Sequence, residues 1–234
     1  MVGATGEIRT LSGIKLFAGL EPGRMQDIES RCRWHTFAKD EQIIDREDDT
    51  KDVYFIVSGN VRVVNYSLSG REVAFEDIRS GSIFGELAAL DGERRSANVV
   101  ALTMTDVATL TRSKFEEVLA ENPDVAMRLM QRLAQVIRAS TDRIMDLSTL
   151  GANNRVYAEL LRLAHEGELD DNTAVIKPVP IHGDIASRVS TTRETVARVL
   201  SDLSKKGLVT REGSQLHLHD VMRLQEMVEE FRGD

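Results

Sequence analysis

Cysteine is almost absent from the 234-residue sequence, which contains only Cys32. A single thiol excludes an intramolecular disulfide, an all-cysteine zinc site and a four-cysteine iron–sulfur cluster. Charged and aromatic residues alternate around Cys32, which favours a half-buried structural thiol. Long apolar runs are also missing, since none approaches about 18 residues, and the first ten residues are polar. The sequence therefore predicts neither export nor membrane insertion, and we expect a cytoplasmic protein.

Positive charge is in deficit overall, because 38 acidic residues against 30 basic ones give a net charge of −8. This balance argues against a nucleic-acid partner only if the charge is evenly spread. It is not, because Lys177–Arg211 contains seven Lys or Arg residues and three acidic residues. A local basic surplus is the feature that DNA binding requires.

The stretch GSIFGELAALDGERRSA, Gly81–Ala97, has the residue types that suit a bound phosphate diester. A short helix is expected to start near Gly85, so free backbone N–H groups would favour an anion there. Glu86 offers a carboxylate to hydroxyl donors, Arg95 offers a planar guanidinium to phosphate oxygens, and Ser96 adds a hydroxyl. The alternative is a glycine-rich hairpin with solvated arginines. The candidate ligand residues are Gly85, Glu86, Leu87, Arg95, Ser96 and Ala97.

The region from Trp34 to Leu110 has the two-residue period of β-strands. Leu11–Cys32 precedes it and is expected to form two short helices with Pro22-Gly23 between them. The apolar runs are Ile43–Ile44, Val53–Val57, Val61–Tyr66, Val73–Phe75, Asn98–Ala101 and Val107–Leu110. The turn signals between runs are Asp48-Asp49, Ser58-Gly59-Asn60, Ser69-Gly70, Ser80-Gly81 and Asp91-Gly92. Many short, evenly spaced strands predict a β-sandwich or jelly roll.

Ser113–Leu147 is the longest periodic element and is expected to be a helix. The residues Met130, Leu133, Ile137, Ser140, Ile144 and Leu147 recur at alternating steps of three and four. Such a heptad seam predicts a parallel helix from a second copy of the chain, hence a homodimer. Ser140 and the adjacent Thr141 interrupt the apolar seam, so they either set register or face a ligand. Two hydroxyls merely tolerated on a long helix are the alternative.

A second domain is expected after Gly151–Asn154, a cluster of C-capping residue types that should end the long helix. A helix over Arg155–His165, a polar loop over Glu166–Thr173 and a short strand over Val175–Pro180 follow in order. Pro180–Gly207 then has a helix-turn-helix pattern, with Ser190-Thr191-Thr192 as its turn. The apolar anchors of its two helices are Ile185, Ala186, Val189, Val196, Val199, Leu200 and Leu203.

The second helix of this pattern has the polar residues that a DNA-reading helix needs. Arg193, Glu194 and Arg198 fall on its outer face and suit base edges in the major groove. Thr192, the expected N-cap, and Thr195 suit phosphates. Solvated charges on a helical hairpin are the alternative. Two alternating runs in Leu208–His219 predict a hairpin, and therefore a winged helix, before a last helix from Asp220 to Phe231. His217 and His219 lack a third ligand, so no metal site is predicted.

Four short motifs resemble those of the CRP/FNR superfamily of transcription regulators, in particular its cyclic-nucleotide-binding branch. They are Gly85-Glu86-Leu87, Arg95-Ser96-Ala97, Asn122-Pro123-Asp124 and Arg193-Glu194-Thr195-Val196. The resemblance implies an α+β protein with three parts. These are a jelly-roll cyclic-nucleotide-binding domain with N-terminal helices over residues 1–112, a dimerisation helix over 113–150 and a winged helix-turn-helix DNA-binding domain over 151–234.

The resemblance also implies roles for these residues. Arg95 and Ser96 would hold the cyclic phosphate, Glu86 the ribose 2′-hydroxyl, and Ser140 and Thr141 the purine from both subunits. The ligand would be cAMP, with cGMP as the alternative, because hydroxyls can serve either base. The recognition helices would read a TGTGA-like half-site twice on a palindrome, and RNA polymerase would be a further partner.

Two departures from the family pattern concern backbone turns. Asp48 stands where the family often has a glycine in a strand turn, and Ser190 replaces a common turn glycine.

The cysteines of the oxygen-sensing branch are missing and no histidine follows His35 in the sheet region, which disfavours iron–sulfur and haem sensing. An enzyme is not expected, because Glu86 and Arg95 lack a paired general base or metal. A regulator of this fold that senses another signal is the main alternative.

Overall fold

A computed structural model of the chain describes residues 9–68, 70 and 72–230. It divides into two compact units, and the division falls between Gln135 and Val136, inside a long helix. Ser69 of one predicted turn and Phe231 of the predicted last helix lie outside the described residues. The domain boundaries after residues 112 and 150 stay predictions.

The first unit is rich in short strands. Its first element is a 3₁₀ turn at Lys15–Phe17. Its helices are α1 (Pro22–Arg31), α2 (Glu86–Asp91), α3 (Arg112–Glu121) and the first part of α4 (Pro123–Thr149). Its strands are β1 (Arg33–Phe37), β2 (Gln42–Ile44), β3 (Val53–Ser58), β4 (Asn60–Tyr66), β5 (Glu72–Arg79), β6 (Ile83–Phe84), β7 (Asn98–Ala101) and β8 (Thr105–Leu110).

These strands form two antiparallel four-stranded sheets, in the orders β1-β8-β3-β6 and β2-β7-β4-β5. Two stacked sheets of short strands confirm the predicted jelly roll. Phe55 of β3 packs between Phe17 and Phe115 of α3, with ring centroids 5.0 and 6.3 Å apart. Val125 and Leu129 of α4 belong to the same buried cluster, so the first turns of α4 are part of this core.

The second unit contains the winged helix. It comprises the rest of α4, then α5 (Ala152–Glu166), β9 (Glu168–Asp170), β10 (Thr173–Ile176), α6 (His182–Arg188), α7 (Arg193–Lys205), β11 (Val209–Glu212), β12 (Gln215–Leu218) and α8 (Val221–Glu229). A four-stranded antiparallel sheet has the order β11-β12-β10-β9. The predicted anchors Ile185, Val196 and Leu203 are fully buried, which confirms the inner faces of the helix-turn-helix.

The expected single helix over Ser113–Leu147 is wrong, because the structure has two helices there. α3 ends before Asn122, whose backbone angles of −133° and 83° are not helical. Pro123 follows, and proline both lacks an N–H for the helical ladder and keeps the preceding residue out of the helical region. α4 then runs without a break from Pro123 to Thr149.

Three other local predictions differ from the structure, each for its own reason. The two helical pieces predicted in Leu11–Cys32 are present as the 3₁₀ turn and α1, but Pro22 is the first residue of α1 and does not lie between them, since proline suits the first helical turn. Gly151 is not a left-handed C-cap: its φ is −64°, and it is the N-cap of α5, which includes Asn153 and Asn154. The polar loop expected over Glu166–Thr173 contains strand β9, which pairs with β10.

Ser190 and Asp48, which stand where the family pattern has glycine, adopt different backbone conformations. Ser190 has a φ of 52°, in the left-handed region where glycine is more often found. Asp48 does not have the positive φ that glycine would favour at its position; in the described chain the other non-glycine residues with positive φ are Asp40 and Asp171. The Asp48 N–H instead donates to the Asp45 carbonyl at 3.1 Å and closes an ordinary turn.

No helix among residues 9–68, 70 and 72–230 combines the length and the apolar character that a bilayer span requires.

Candidate nucleotide site and nucleic-acid interface

Gly85 links strand β6 to helix α2 and has a φ of 77°, a conformation that suits glycine. A Cβ atom at this position would lie 2.8 Å from Arg95 Nη1 and 3.1 Å from the Asp52 carbonyl oxygen. The missing side chain therefore lets the guanidinium of Arg95 lie directly against the backbone of residue 85.

Arg95 is a buried cation of the first unit, with only 4% of its surface exposed. Its Nη1 donates to the Gly85 carbonyl at 2.8 Å and its Nη2 to the Asp52 carbonyl at 2.9 Å. Nε and Nη2 both donate to the Thr50 hydroxyl at 3.2 Å. The ring of Tyr54, which stacks on Phe84 at 4.8 Å, lies 5.9 Å from the guanidinium carbon. Backbone and hydroxyl oxygens thus fix its position.

The charge of Arg95 lacks a directly bonded counterion among the described residues, because its acceptors are two carbonyls and one hydroxyl. Burial lowers the pKa of Arg95, although Tyr54, Asp52 and other acidic groups nearby oppose this effect. A desolvated guanidinium of this kind favours an anionic partner. The residues present therefore fit a phosphate group, for which one N–H of the five remains free.

Glu86 is half-buried at the start of α2. Burial raises the pKa of its carboxyl group; Arg132 and Arg95 favour the charged form, whereas Glu76 disfavours it. Ser96 is exposed beside Arg95, Leu87 is 41% exposed and Ala97 is buried. Gly85, Glu86, Arg95 and Ser96 are thus brought together around one side of the jelly roll.

Ser140 and Thr141 belong to the second compact unit, whereas the residues around Gly85 belong to the first. Both hydroxyl residues are exposed on α4. The Thr141 hydroxyl donates to the Ile137 carbonyl one turn earlier at 3.0 Å. Their predicted contact with a purine stays a prediction.

The exposed face at the start of α7 contains the predicted DNA-reading residues. Thr192 is the N-cap, as predicted, and its hydroxyl accepts from the Thr195 N–H at 3.2 Å. Arg193, Glu194 and Arg198 are exposed, whereas Val196 and Val199 on the same helix are buried. Hydrogen bonds to its own N–H and to Thr192 lower the pKa of Glu194, so it is an ionised acceptor at neutral pH.

Two arginines that the sequence analysis did not select hold the turn of the helix-turn-helix. Arg143 of α4 donates from Nη2 to the Arg188 carbonyl at 2.5 Å. Arg155 of α5 donates from Nε to the Val189 carbonyl at 2.8 Å and from Nη2 to the Ser190 carbonyl at 3.3 Å. Cations are favoured at a helix C-terminus, where carbonyls lack partners. No periodic or local signal marks these residues, because their partners lie 34 to 45 positions away.

The histidines at the wing have separate partners. His217 lies 3.7 Å from the Glu212 carboxylate, and His219 shares a 2.8 Å hydrogen bond with the Thr210 hydroxyl. Within the part of the chain that the structure describes, no three His, Cys, Asp or Glu side chains form a group able to hold a metal ion.

Comparisons with known proteins match two parts of the chain to known domain families. Residues 34–122 match the family model described as the cyclic nucleotide-binding domain, and residues 154–227 match the Crp-like helix-turn-helix domain. The chain is 28% identical to the cAMP-activated global transcriptional regulator CRP of Salmonella typhimurium over 188 residues, 80% of this chain and 90% of that protein. It is 29% identical to the cyclic AMP receptor protein of Thermus thermophilus over 219 residues, 93% and 98% of the two chains.

A solved structure extends the likeness to the fold. The c-di-GMP-responsive global regulator CLP of Xanthomonas campestris has a TM-score of 0.70 at 18% identity, over 85% of this chain and 99% of that one. A cyclic-nucleotide-binding jelly roll followed by a helix-turn-helix defines a DNA-binding transcription regulator. The chain belongs to the CRP/FNR family of such regulators.

Gly85→Ala should destabilise the first unit by about 1–3 kcal/mol, because it combines a positive φ with a close contact to Arg95. Thermal and urea unfolding measure this change. Gly13→Ala is the matched control, since a Cβ at Gly13 meets nothing within 4 Å. Equal stabilities of the two variants would show that Gly85 is not needed for the approach of Arg95.

Arg143→Ala should weaken DNA binding about tenfold, because the Arg188 carbonyl loses a charged donor and the turn before α7 is less firmly held. Fluorescence anisotropy with a labelled palindromic duplex measures the affinity, and circular dichroism checks the fold. Arg138→Ala, which removes an exposed arginine of the same helix, is the control. The same loss in both variants would contradict a specific role for Arg143.

Proposed function

We propose that the protein is a homodimeric, sequence-specific transcription regulator that responds to a cyclic purine nucleotide, cAMP or cGMP. The nucleotide binds the first unit and favours the arrangement of the dimer in which both α7 helices fit a TGTGA-like palindrome. The observation that carries this proposal is the buried guanidinium of Arg95, which is held by uncharged acceptors beside Gly85.

A cyclic phosphate supplies the directly bonded counterion that Arg95 lacks among the described residues. The remaining N–H of Arg95 and the exposed Ser96 hydroxyl donate to its oxygens. The half-buried carboxylate of Glu86 accepts from the ribose 2′-hydroxyl, and Gly85 leaves room for the backbone to approach. Leu87 and Ala97 complete the walls of this site by resemblance to the family.

A second copy of the chain is the proposed partner of α4. Met130, Ile137 and Ile144 of the heptad seam are 54%, 66% and 62% exposed in the single chain. Exposed apolar side chains at this spacing are typical of a parallel coiled coil. Ser140 and Thr141 lie in the same seam, and the family resemblance assigns them to the purine.

The coupling between ligand and DNA follows from α4. Arg143, three residues beyond Ser140, donates to the backbone at the turn before α7. A ligand that favours one arrangement of paired α4 helices therefore favours one placement of α7. The favoured placement sets the two recognition helices about 34 Å apart, and ligand and DNA strengthen each other's binding reciprocally. RNA polymerase is a further proposed partner by family resemblance.

A regulator of this fold that senses a different signal is the alternative. A thiol-based redox signal is disfavoured by Cys32, because burial raises the pKa of its thiol to about 12 and keeps it protonated at neutral pH. Other small ligands are tested by the same titrations as the cyclic nucleotides.

Calorimetric titration should show micromolar or tighter binding of cAMP, cGMP or both, and the bound nucleotide should strengthen DNA binding. Arg95→Leu should abolish nucleotide binding, because it removes the phosphate donor but keeps an apolar side chain in the buried position. Arg94→Leu is the matched control, since the Arg94 side chain is 70% exposed. No binding of either nucleotide to the unmodified protein would overturn the proposal, and unchanged affinity in Arg95→Leu would remove Arg95 as the ligand.

Arg198→Ala should cost about 1–3 kcal/mol of DNA-binding free energy at one base position and relax the preference there, since an arginine can pair with guanine in the major groove. Competition binding with single-base variants of the palindrome measures this effect. A uniform loss across all sequences would assign Arg198 to the phosphate backbone.

A further inference from the structure

An ion pair without an assigned role lies on the inner face of the jelly roll. Glu76 of β5 is paired in register with Val63 of β4, and Ile78, two residues later, is buried in the core. Since strand residues two apart share a face, Glu76 points to the interior side of its sheet. Arg132 of α4 donates from Nη2 to Glu76 Oε1 at 2.7 Å.

This pair is open to solvent and weakly held. The Glu76 and Arg132 side chains are 42% and 33% exposed, and this bond is the one hydrogen bond that the described residues give the Glu76 side chain. Half-exposed ion pairs contribute little to stability. In contrast, Arg62 on the same sheet is 7% exposed and makes two bonds to Asp77, at 2.7 and 2.9 Å. The Glu76–Arg132 pair is thus accessible to a ligand, whereas the Arg62–Asp77 pair is structural.

The pair adjoins the proposed nucleotide site. Val63 of β4 is in register with Glu76 of β5 on one side and with Val99 of β7 on the other, and Val99 follows Ala97 of the candidate site by two residues. Glu76 therefore lies two strands, about 10 Å, from the strand that follows the Arg95–Ala97 motif. The charges of Arg132, Glu76 and Arg95 also act on the Glu86 carboxyl group. Arg95, Glu86 and the Glu76–Arg132 pair therefore line a common region. A nucleotide with its phosphate at Arg95 and its ribose at Glu86 extends its base away from Arg95. The remaining charged groups of this region are then the ones available to the base.

We propose that Glu76 and Arg132 form a specificity-determining pair that recognises the Watson–Crick edge of guanine, so that the protein prefers cGMP to cAMP. This inference rests on the proposed function, because it assumes a cyclic nucleotide bound at Arg95 and Glu86.

The hydrogen-bonding pattern of guanine matches the pair. Its Watson–Crick edge has one acceptor, O6, followed by two donors, N1–H and the N2 amino group. Arg132 supplies a donor for O6, and the two carboxylate oxygens of Glu76 accept from N1–H and N2–H. Adenine has an amino donor where guanine has O6, an acceptor where guanine has N1–H, and no amino group at C2, so in the same position it makes none of these three bonds. A site built to bond a polar group discriminates against a base that lacks it.

Glu76→Gln tests the inference, because the amide keeps the size of the side chain but replaces one acceptor by a donor. Calorimetric titration of cAMP and cGMP gives the two dissociation constants of each protein. We expect the unmodified protein to bind cGMP more tightly. In Glu76→Gln the affinity for cGMP should fall about tenfold or more, and the affinity for cAMP should change less than about threefold.

Glu72→Gln is the matched control. Glu72 is a carboxylate of the same strand with a similar exposure of 39%, and its ion-pair partner is Arg62. This variant should keep the preference of the unmodified protein. Tighter binding of cAMP by the unmodified protein, or an equal change of both affinities in Glu76→Gln, would overturn the inference while leaving the proposed function intact. Failure of the unmodified protein to bind either nucleotide would overturn both.

Discussion

The first unit depends on one constraint, namely that a guanidinium removed from water must find an acceptor for each N–H and a compensating charge. The chain supplies acceptors for four of the five N–H groups of Arg95, from Thr50 and Asp52 in one segment and from Gly85 in another. Gly85 has to be a glycine because a Cβ atom would occupy the space of the guanidinium. The protein thus fixes the direction of the cation but leaves its charge for an anion to compensate.

The second unit uses arginine in a related way. The turn before α7 contains Ser190 at a φ of 52°, and a non-glycine residue in this region is strained unless neighbouring groups hold it. Arg155 holds the carbonyls of Val189 and Ser190, and Arg143 holds that of Arg188. Because the turn sets the direction of α7, its bonds to α4 and α5 link the reading helix to the helix that we propose to dimerise.

Local patterns predicted most of the fold, and non-local contacts explain what they missed. Alternation and turn residues located most strands of the jelly roll, and apolar spacing located α6 and α7. The break at Asn122 is a local effect of Pro123 that the heptad pattern concealed. The role of Gly151 depended on a helix starting immediately after it, which the residue types alone did not reveal. Arg132 meets Glu76 across 56 positions, and such a pairing leaves no signal in the order of residues.

The difference between local motifs and non-local contacts also explains why the motif around Gly85 cannot select a base. In the function we propose, its donors and acceptors meet a cyclic phosphate and a ribose, which cAMP and cGMP share, so they supply affinity without discrimination. Discrimination requires polar groups at the base edge, where the two nucleotides present different donors and acceptors. Those groups must come from elements brought near the motif by folding. A strand and a helix distant in sequence, β5 and α4, provide the charged pair that we propose for this role.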